Sequence, residues 1–203
     1  MIQIKNAEQI ACMKVAGRIT GEALLLGGEA VKEGVSTYEI DRIIRHHIEK
    51  CGATPSFLGY GGFPGSACIS INDEVIHGIP SKKRILQQGD IVKIDVGAFY
   101  QGFHGDSANT FAVGTVSQEA QHLIDATRQS FYEGIKFARS GCRLGDLGAA
   151  IEAYATSQGF SVVRRYVGHG VGHELHEQPD VPNYGTPGRG LRLMSGMVIA
   201  VEP

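Results

Sequence analysis

The sequence has no strong charge excess of either sign: 19 lysines and arginines stand against 21 aspartates and glutamates, a formal net charge of -2 over 203 residues. A nucleic-acid or anionic-membrane partner calls for a basic surplus, so neither is implied. Cysteine is scarce. Cys12, Cys51, Cys68 and Cys142 lie far apart with no CxxC pair, which excludes a disulfide framework and a thiolate zinc knuckle and reads as reduced thiols in a cytoplasmic protein. The N-terminus, MIQIKNAEQI, lacks the basic segment and apolar run of a signal peptide. No apolar stretch is long enough to span a bilayer. What is present is an ordinary globular balance, 42% hydrophobic and 20% charged, with length for a real core and for one domain over 1–203. Glycine is abundant, 28 residues, about twice the usual share. Many of these glycines flank histidines and aspartates.

Apolar spacing predicts a helix over 7–31 and another from Ser36, where Ser36 and Glu39 form an S-x-x-E capping box ahead of Ile40, Ile43, Ile44 and Ile48. A glycine-rich aromatic loop follows over 57–64. Strands are expected over 68–71 and 91–98, with a turn at Gln101-Gly102 and a return strand over 104–113. Helices are expected over 118–138 and 144–155, and strands over 161–166 and 197–202. The order helix, helix, strands thus occurs twice. A shift of 107 positions superposes Thr20, Gly27, Gly34, Ile44 and Gly52 on Thr127, Gly134, Gly141, Ile151 and Gly159. Ile40 falls on Leu147 and Glu39 on Asp146. The combination suggests two halves of similar structure around a shared sheet in an α/β (α+β) fold.

Four groups of residues carry chemistry. Asp95 and Asp106 face each other if the hairpin turn is centred between Tyr100 and Gln101, with Cβ atoms about 5 Å apart. Two buried like charges so close call for a divalent cation; solvated aspartates on an exposed hairpin are the alternative. Glu202 ends an apolar run, 197–202, that reads as an interior strand, where a carboxylate needs a partner: a metal, or a salt bridge in the core. In YVGHGVGHELHEQP, His173 and His176 are three apart, not the four that a helical HExxH site requires, and the glycines disfavour a helix. Gly168 to Gly172 reads as an extended strand, with His169 and Val171 on one side. Histidine with carboxylates suits Mn(II), Fe(II), Co(II) or Zn(II) rather than a structural thiolate zinc. His77, between Val75-Ile76 and Gly78-Ile79, reads equally well as a buried, hydrogen-bonded histidine, and His173 has no assigned role.

Taken together, GYGGFPGSACISINDEVIHGIP, DVGAFYQGFHGDSANTFAVG, GHGVGHELHEQP and GMVIAVEP resemble the successive signatures of the type I methionine aminopeptidases. The resemblance runs from near residue 5 to the last residue, with the motifs in the family's order. It implies the pita-bread fold: two pseudo-symmetric halves with a central curved antiparallel sheet and outer helices. It also implies two divalent metal ions (cobalt, manganese, iron or zinc), with Asp95 on one, Asp106 bridging both, and His169 and Glu202 on the other. His77 and His176 match histidines that contact substrate. Tyr60, Phe63, Cys68 and Leu175 match the lining of the methionine pocket, although Leu175 stands where some relatives carry an aromatic residue.

The implied reaction is attack of a metal-activated water on the peptide bond. Glu202 would shuttle the proton, His176 would hydrogen-bond the oxyanion, and His77 would hold the substrate backbone. The substrates would be the N-termini of nascent polypeptides at the ribosome, and the enzyme a cytoplasmic monomer without nucleic-acid or membrane partners. In the family a further strand, a pocket aromatic and a fifth ligand, a glutamate, come from a segment C-terminal to the position of Pro203; the sequence lacks that segment, so the resemblance implies four of the five ligands within it. A proline aminopeptidase or prolidase of the same fold is the alternative enzyme, and a non-catalytic binding protein of that fold the alternative class; the aromatic loop before Cys68 argues against the former.

Overall fold

The structure is a computed structural model that describes residues 2–203. The chain folds as two compact units: Gln9–Gln118 with His173–Leu175, and Glu119–Gly172 with His176–Pro203 and the described residues before Gln9.

In the first unit, helices α1 (Ala7–Glu29) and α2 (Thr37–Lys50) precede strands β1 (Thr54–Pro55), β2 (Ala67–Ile71), β3 (Ile91–Tyr100) and β4 (Phe103–Ala112). The α2 N-terminus is built as the sequence dictates. The Ser36 hydroxyl accepts from the Glu39 N–H at 3.3 Å, and the Glu39 carboxylate accepts from the Ser36 N–H at 2.8 Å. The Ser36 hydroxyl also donates to the Glu39 carboxylate at 2.7 Å, and this bond, followed by the one from the Ser36 N–H, holds the Glu39 carboxyl below the usual range. Ile40, Ile44 and Ile48 repeat every fourth residue and are fully buried, each contributing roughly 1.5–3 kcal/mol of apolar transfer. They pack with Ile69, Val92, Ile94 and Val96 of the antiparallel sheet, in which β3 pairs with β1, β2 and β4.

The second unit repeats the plan with α3 (Gln118–Ile135), α4 (Leu144–Ser157), β5 (Gly168–Gly170) and β6 (Glu177–Val181), the strands pairing antiparallel. Leu147 and Ile151 are its fully buried anchors. The 107-residue shift is structural and not confined to matching letters. At the start of α2, the Thr37 N–H bonds the Arg84 carbonyl and the Leu86 N–H the Val35 carbonyl, both at 2.9 Å; at the start of α4, the Leu144 N–H bonds the Leu191 carbonyl at 2.9 Å and the Leu193 N–H the Cys142 carbonyl at 2.8 Å. Asp146 accepts from the Arg143 N–H at 2.8 Å as Glu39 does from Ser36. Gly27 and Gly134 are equivalent in packing too. A Cβ at Gly27 would lie 2.7 Å from Ile44 Cδ1, and one at Gly134 would lie 2.5 Å from Ile151 Cγ1, so each glycine lets its helix approach the next.

Three expected elements differ. Residues 161–166 form no strand; Arg164 and Arg165 are exposed, and Arg164 pairs with Glu152 and lies over the Tyr184 ring at 4.5 Å. The extended backbone begins at Gly168 instead. Residues 197–202 form no ladder strand, but bond to β5 through the Val171 N–H to the Val198 carbonyl (3.1 Å) and the Ala200 N–H to the His169 carbonyl (2.7 Å). They are half-buried, and Glu202 is exposed, so its carboxylate is not that of a core residue. The hairpin register also differs. Tyr100 pairs with Phe103 across a two-residue turn in which Gln101 (φ 48°) and Gly102 (φ 87°) both adopt left-handed backbone, the type I′ geometry. Asp95 therefore pairs with Ala108, and Asp106 with Gly97. The two aspartates are diagonal neighbours on one face, about 7–8 Å apart along the sheet, rather than directly opposed.

Candidate active site

In the first unit, β3 and β4 place Asp95 and Asp106 on a common sheet face, both half-buried. Cys68 on β2 pairs directly with Asp95. Desolvation pushes the Cys68 thiol up to about 12, with Asp95 and then Asp106 adding to the shift; a bond from the His77 backbone N–H opposes it. Cys68 is thus a neutral, weakly polar wall and not a thiolate nucleophile. It packs with Phe57, Leu175 and Phe63 in a small apolar cluster. Phe63, Cys68 and Leu175, three of the four residues matched to the pocket, come together. Phe57, which sequence reasoning does not single out, completes the group; its adjacency to the Phe63 loop is the available signal. Tyr60 lies outside the cluster, half exposed in the 3-10 turn Tyr60–Gly62.

His77 is exposed and has φ 59°, a conformation unusual for a residue with a side chain. The backbone around it is fixed by the Ile69 N–H to the Gly78 carbonyl (2.8 Å) and the Gly78 N–H to the Ser70 hydroxyl (2.9 Å). A buried carboxylate that the sequence does not flag, Asp41, fixes the start of β2 by accepting from the N–H groups of Ser66 (2.7 Å) and Ala67 (3.0 Å). His173, to which the sequence assigns no role, also acts here. Its Nδ1–H donates to the Gly102 carbonyl at 2.8 Å and its ring lies 4.1 Å from Phe103, so it braces the hairpin turn.

In the second unit, His169 on β5 is buried. Its Nδ1 lies 2.8 Å from the Gly170 carbonyl, which can only accept, so Nδ1 carries a proton. In the neutral ring Nε2 is then a bare lone pair, and it faces Glu202 Oε1 at 3.3 Å. Two acceptors at that distance require a cation or a second proton between them. The arrangement fits a metal ligand: a backbone carbonyl orients the imidazole from behind while Nε2 points at a carboxylate partner. The His176 ring lies 4.2 Å from that of His169, and the segment His173–His176 is irregular, not the helix an HExxH site needs. The buried ion pair of Lys5 and Glu177 anchors the chain just after His176. Asn183 Nδ2 donates to the Glu202 carbonyl, tethering the backbone that carries that carboxylate. Asp95 and Glu202 occupy equivalent positions under the 107-residue shift, so each half supplies a carboxylate from the same place in its plan.

The comparisons with known proteins bear on the family and the fold. The profile of metallopeptidase family M24 matches residues 11–203. The chain is 54% identical to a methionine aminopeptidase of Clostridium acetobutylicum over all of this chain and 81% of that protein. It superposes on the crystal structure of methionine aminopeptidase from Thermotoga maritima with a TM-score of 0.97 and 42% identity, covering 99% of this chain and 81% of the other. It is similar also to prolidase from Pyrococcus furiosus, with a TM-score of 0.84 and 26% identity over 98% of this chain and 56% of that one. The shared architecture is the pita-bread fold, of mixed helices and antiparallel sheet.

Proposed function

The chain belongs to metallopeptidase family M24, and on that premise we propose that it is a metal-dependent methionine aminopeptidase that removes initiator methionine from the N-termini of nascent polypeptides in the cytoplasm. The observation that carries the metal dependence is His169: a buried imidazole whose Nδ1–H is spent on a carbonyl and whose Nε2 meets a carboxylate at 3.3 Å. We assign Asp95, Asp106, His169 and Glu202 as ligands. A nitrogen and oxygen set of this kind suits Mn(II), Fe(II), Co(II) or Zn(II). Two such ions would supply Lewis acidity and an acidified water; aminopeptidases are standing examples of two-metal catalysis, so that number is a family expectation and not a geometric result.

The remaining roles follow from the side chains. The Glu202 carboxylate is exposed and backbone-tethered, suited to taking a proton from the nucleophile and returning it to the leaving amine. His176, exposed beside His169, donates a hydrogen bond to the developing oxyanion. His77, held in a left-handed conformation beside Cys68, orients the substrate backbone. Phe57, Phe63, Cys68 and Leu175 receive an unbranched thioether, for which an apolar, uncharged wall is suited. Tyr60 serves at the mouth of this pocket from its exposed turn. The higher identity to a methionine aminopeptidase than to a prolidase favours methionine over proline specificity.

The test is release of free amino acid from Met-Ala and Pro-Ala peptides with Mn(II), Fe(II) or Co(II) added. Methionine release that metal supports and Asp106→Ala abolishes is expected. Preferential release of proline would overturn the specificity, and methionine release that survives Asp106→Ala would overturn the metal assignment.

A further inference from the structure

A second set of metal-binding side chains stands on helices α1 and α2, within one compact unit and composed of none of the residues assigned above. His47 and Cys51 are four residues apart, the spacing that puts two side chains on one helix face, with Cys51 at the helix end. Glu22 reaches them from α1. His47 Nε2 lies 3.2 Å from Glu22 Oε2 and 3.6 Å from Cys51 Sγ, and ligand atoms of all three residues lie within 4.8 Å of one another.

Both contacts converge on the same ring nitrogen, which serves both only by splitting one N–H between the carboxylate and the sulfur, a weak acceptor. With a proton on Nε2, the ring donates to Glu22 but has no lone pair for the Cys51 thiol. Without one, it accepts from the thiol but turns its lone pair on a carboxylate. A cation shared by nitrogen, oxygen and sulfur engages all three as full ligands instead. The two spacings to His47 fit as well: tetrahedral zinc, with bonds of about 2.0 Å to nitrogen and oxygen and about 2.3 Å to sulfur, gives edges of roughly 3.3 Å for N···O and roughly 3.5 Å for S···N. Arg18 stays on the other carboxylate oxygen, 3.9 Å from Glu22 Oε1, and leaves Oε2 to the site.

We propose that Glu22, His47 and Cys51 form a surface Zn(II) site, with water as the fourth ligand, that clamps α1 to α2. On binding, the Cys51 S–H proton leaves to solvent as the S–Zn bond forms, and no electron is transferred. A thiolate in the ligand set makes this a softer site than the carboxylate-rich one, so the two differ in metal preference.

Co(II) serves as a spectroscopic probe, because a near-ultraviolet thiolate-to-cobalt charge-transfer band reports a cysteine ligand and nothing else. Wild-type protein titrated with Co(II) is expected to develop the band, and Zn(II) to displace it. C51S is expected to remove it, and H47Q and E22Q to weaken Co(II) binding at it by about tenfold or more. In parallel, Zn(II) should slow alkylation of Cys51, mapped by peptide mass spectrometry, without slowing that of Cys12, and H47Q should remove the protection. Absence of the band in folded wild-type protein, its survival in C51S, or alkylation of Cys51 unchanged by Zn(II) overturns the proposal. None of these readouts depends on peptidase activity, so they stand or fall apart from the proposed function.

Discussion

At the residue scale, the sequence discloses which side chains carry chemistry more readily than what surrounds them. Asp41 illustrates the gap. In the sequence it is one of several charges on an amphipathic helix; in the structure it is buried and accepts two backbone N–H bonds at the head of β2. Desolvation raises its pKa above the usual carboxylate range, and the bonds from Ala67 and Ser66 only partly offset this. A folded-state pKa above the unfolded one means that the unfolded chain loses its proton first as pH rises. The contribution of Asp41 to stability is then fully present below the unfolded value and is lost as pH climbs through the folded one. Asp41→Asn keeps an acceptor for both N–H groups and cannot titrate. Denaturant unfolding across the acid range should show the variant gaining on wild type as pH rises. A wild type that gains on the variant instead would mean that the two hydrogen bonds to the carboxylate outweigh its burial. His173 makes the same point from the other side, since its role rests on a carbonyl 71 positions away that no local pattern could indicate.

At the element scale, helices were the most legible. The capping box at Ser36 and the Ile40, Ile44, Ile48 stripe are local signals, and both appear as read. Strands were less so. Residues 161–166 and 197–202 have β-prone composition, but a ladder needs a partner in register, which composition does not encode. The hairpin shows how much one residue matters. Moving the turn centre by a single position changes Asp95 and Asp106 from opposed to diagonal, while the pleat keeps them on one face. The turn residues therefore control carboxylate spacing. Gly102→Val forces a β-branched side chain to φ 87° and should cost about 1–2 kcal/mol in denaturant unfolding. Gln101→Asn, better suited to φ 48°, should stabilise by about 0.5 kcal/mol. If G102V is neutral, the type I′ turn does not set this register. Metal affinity measured on the same two variants should fall in G102V and hold in Q101N.

At the scale of the whole molecule, each unit carries one copy of the repeat. The shared cap hydrogen bonds, the equivalent helix-contact glycines and the 107-residue equivalence of Asp95 and Glu202 all follow one plan written twice. Only a handful of identities survive in the sequence because most positions need to conserve only a burial class, whereas helix-contact glycines and cap positions admit few replacements. The proposed ligands are then not four independent residues: Asp95 and Glu202 are the same position in two halves, Asp95 in β3 and Glu202 in a segment hydrogen-bonded to β5. The pair should accordingly behave alike toward metal. Mn(II) is the suitable probe because it favours carboxylate over thiolate, and a C51S background removes any contribution from the α1–α2 cluster. Metal binding the folded state alone stabilises it by about 2.7 kcal/mol at one hundred times its dissociation constant. Saturating Mn(II) should raise the melting temperature, and Asp95→Asn and Glu202→Gln should each remove most of that rise while leaving the metal-free melting temperature nearly unchanged. If one variant abolishes the rise and the other leaves it intact, the two carboxylates are not equivalent ligands, and the metal site draws on only one half of the repeat.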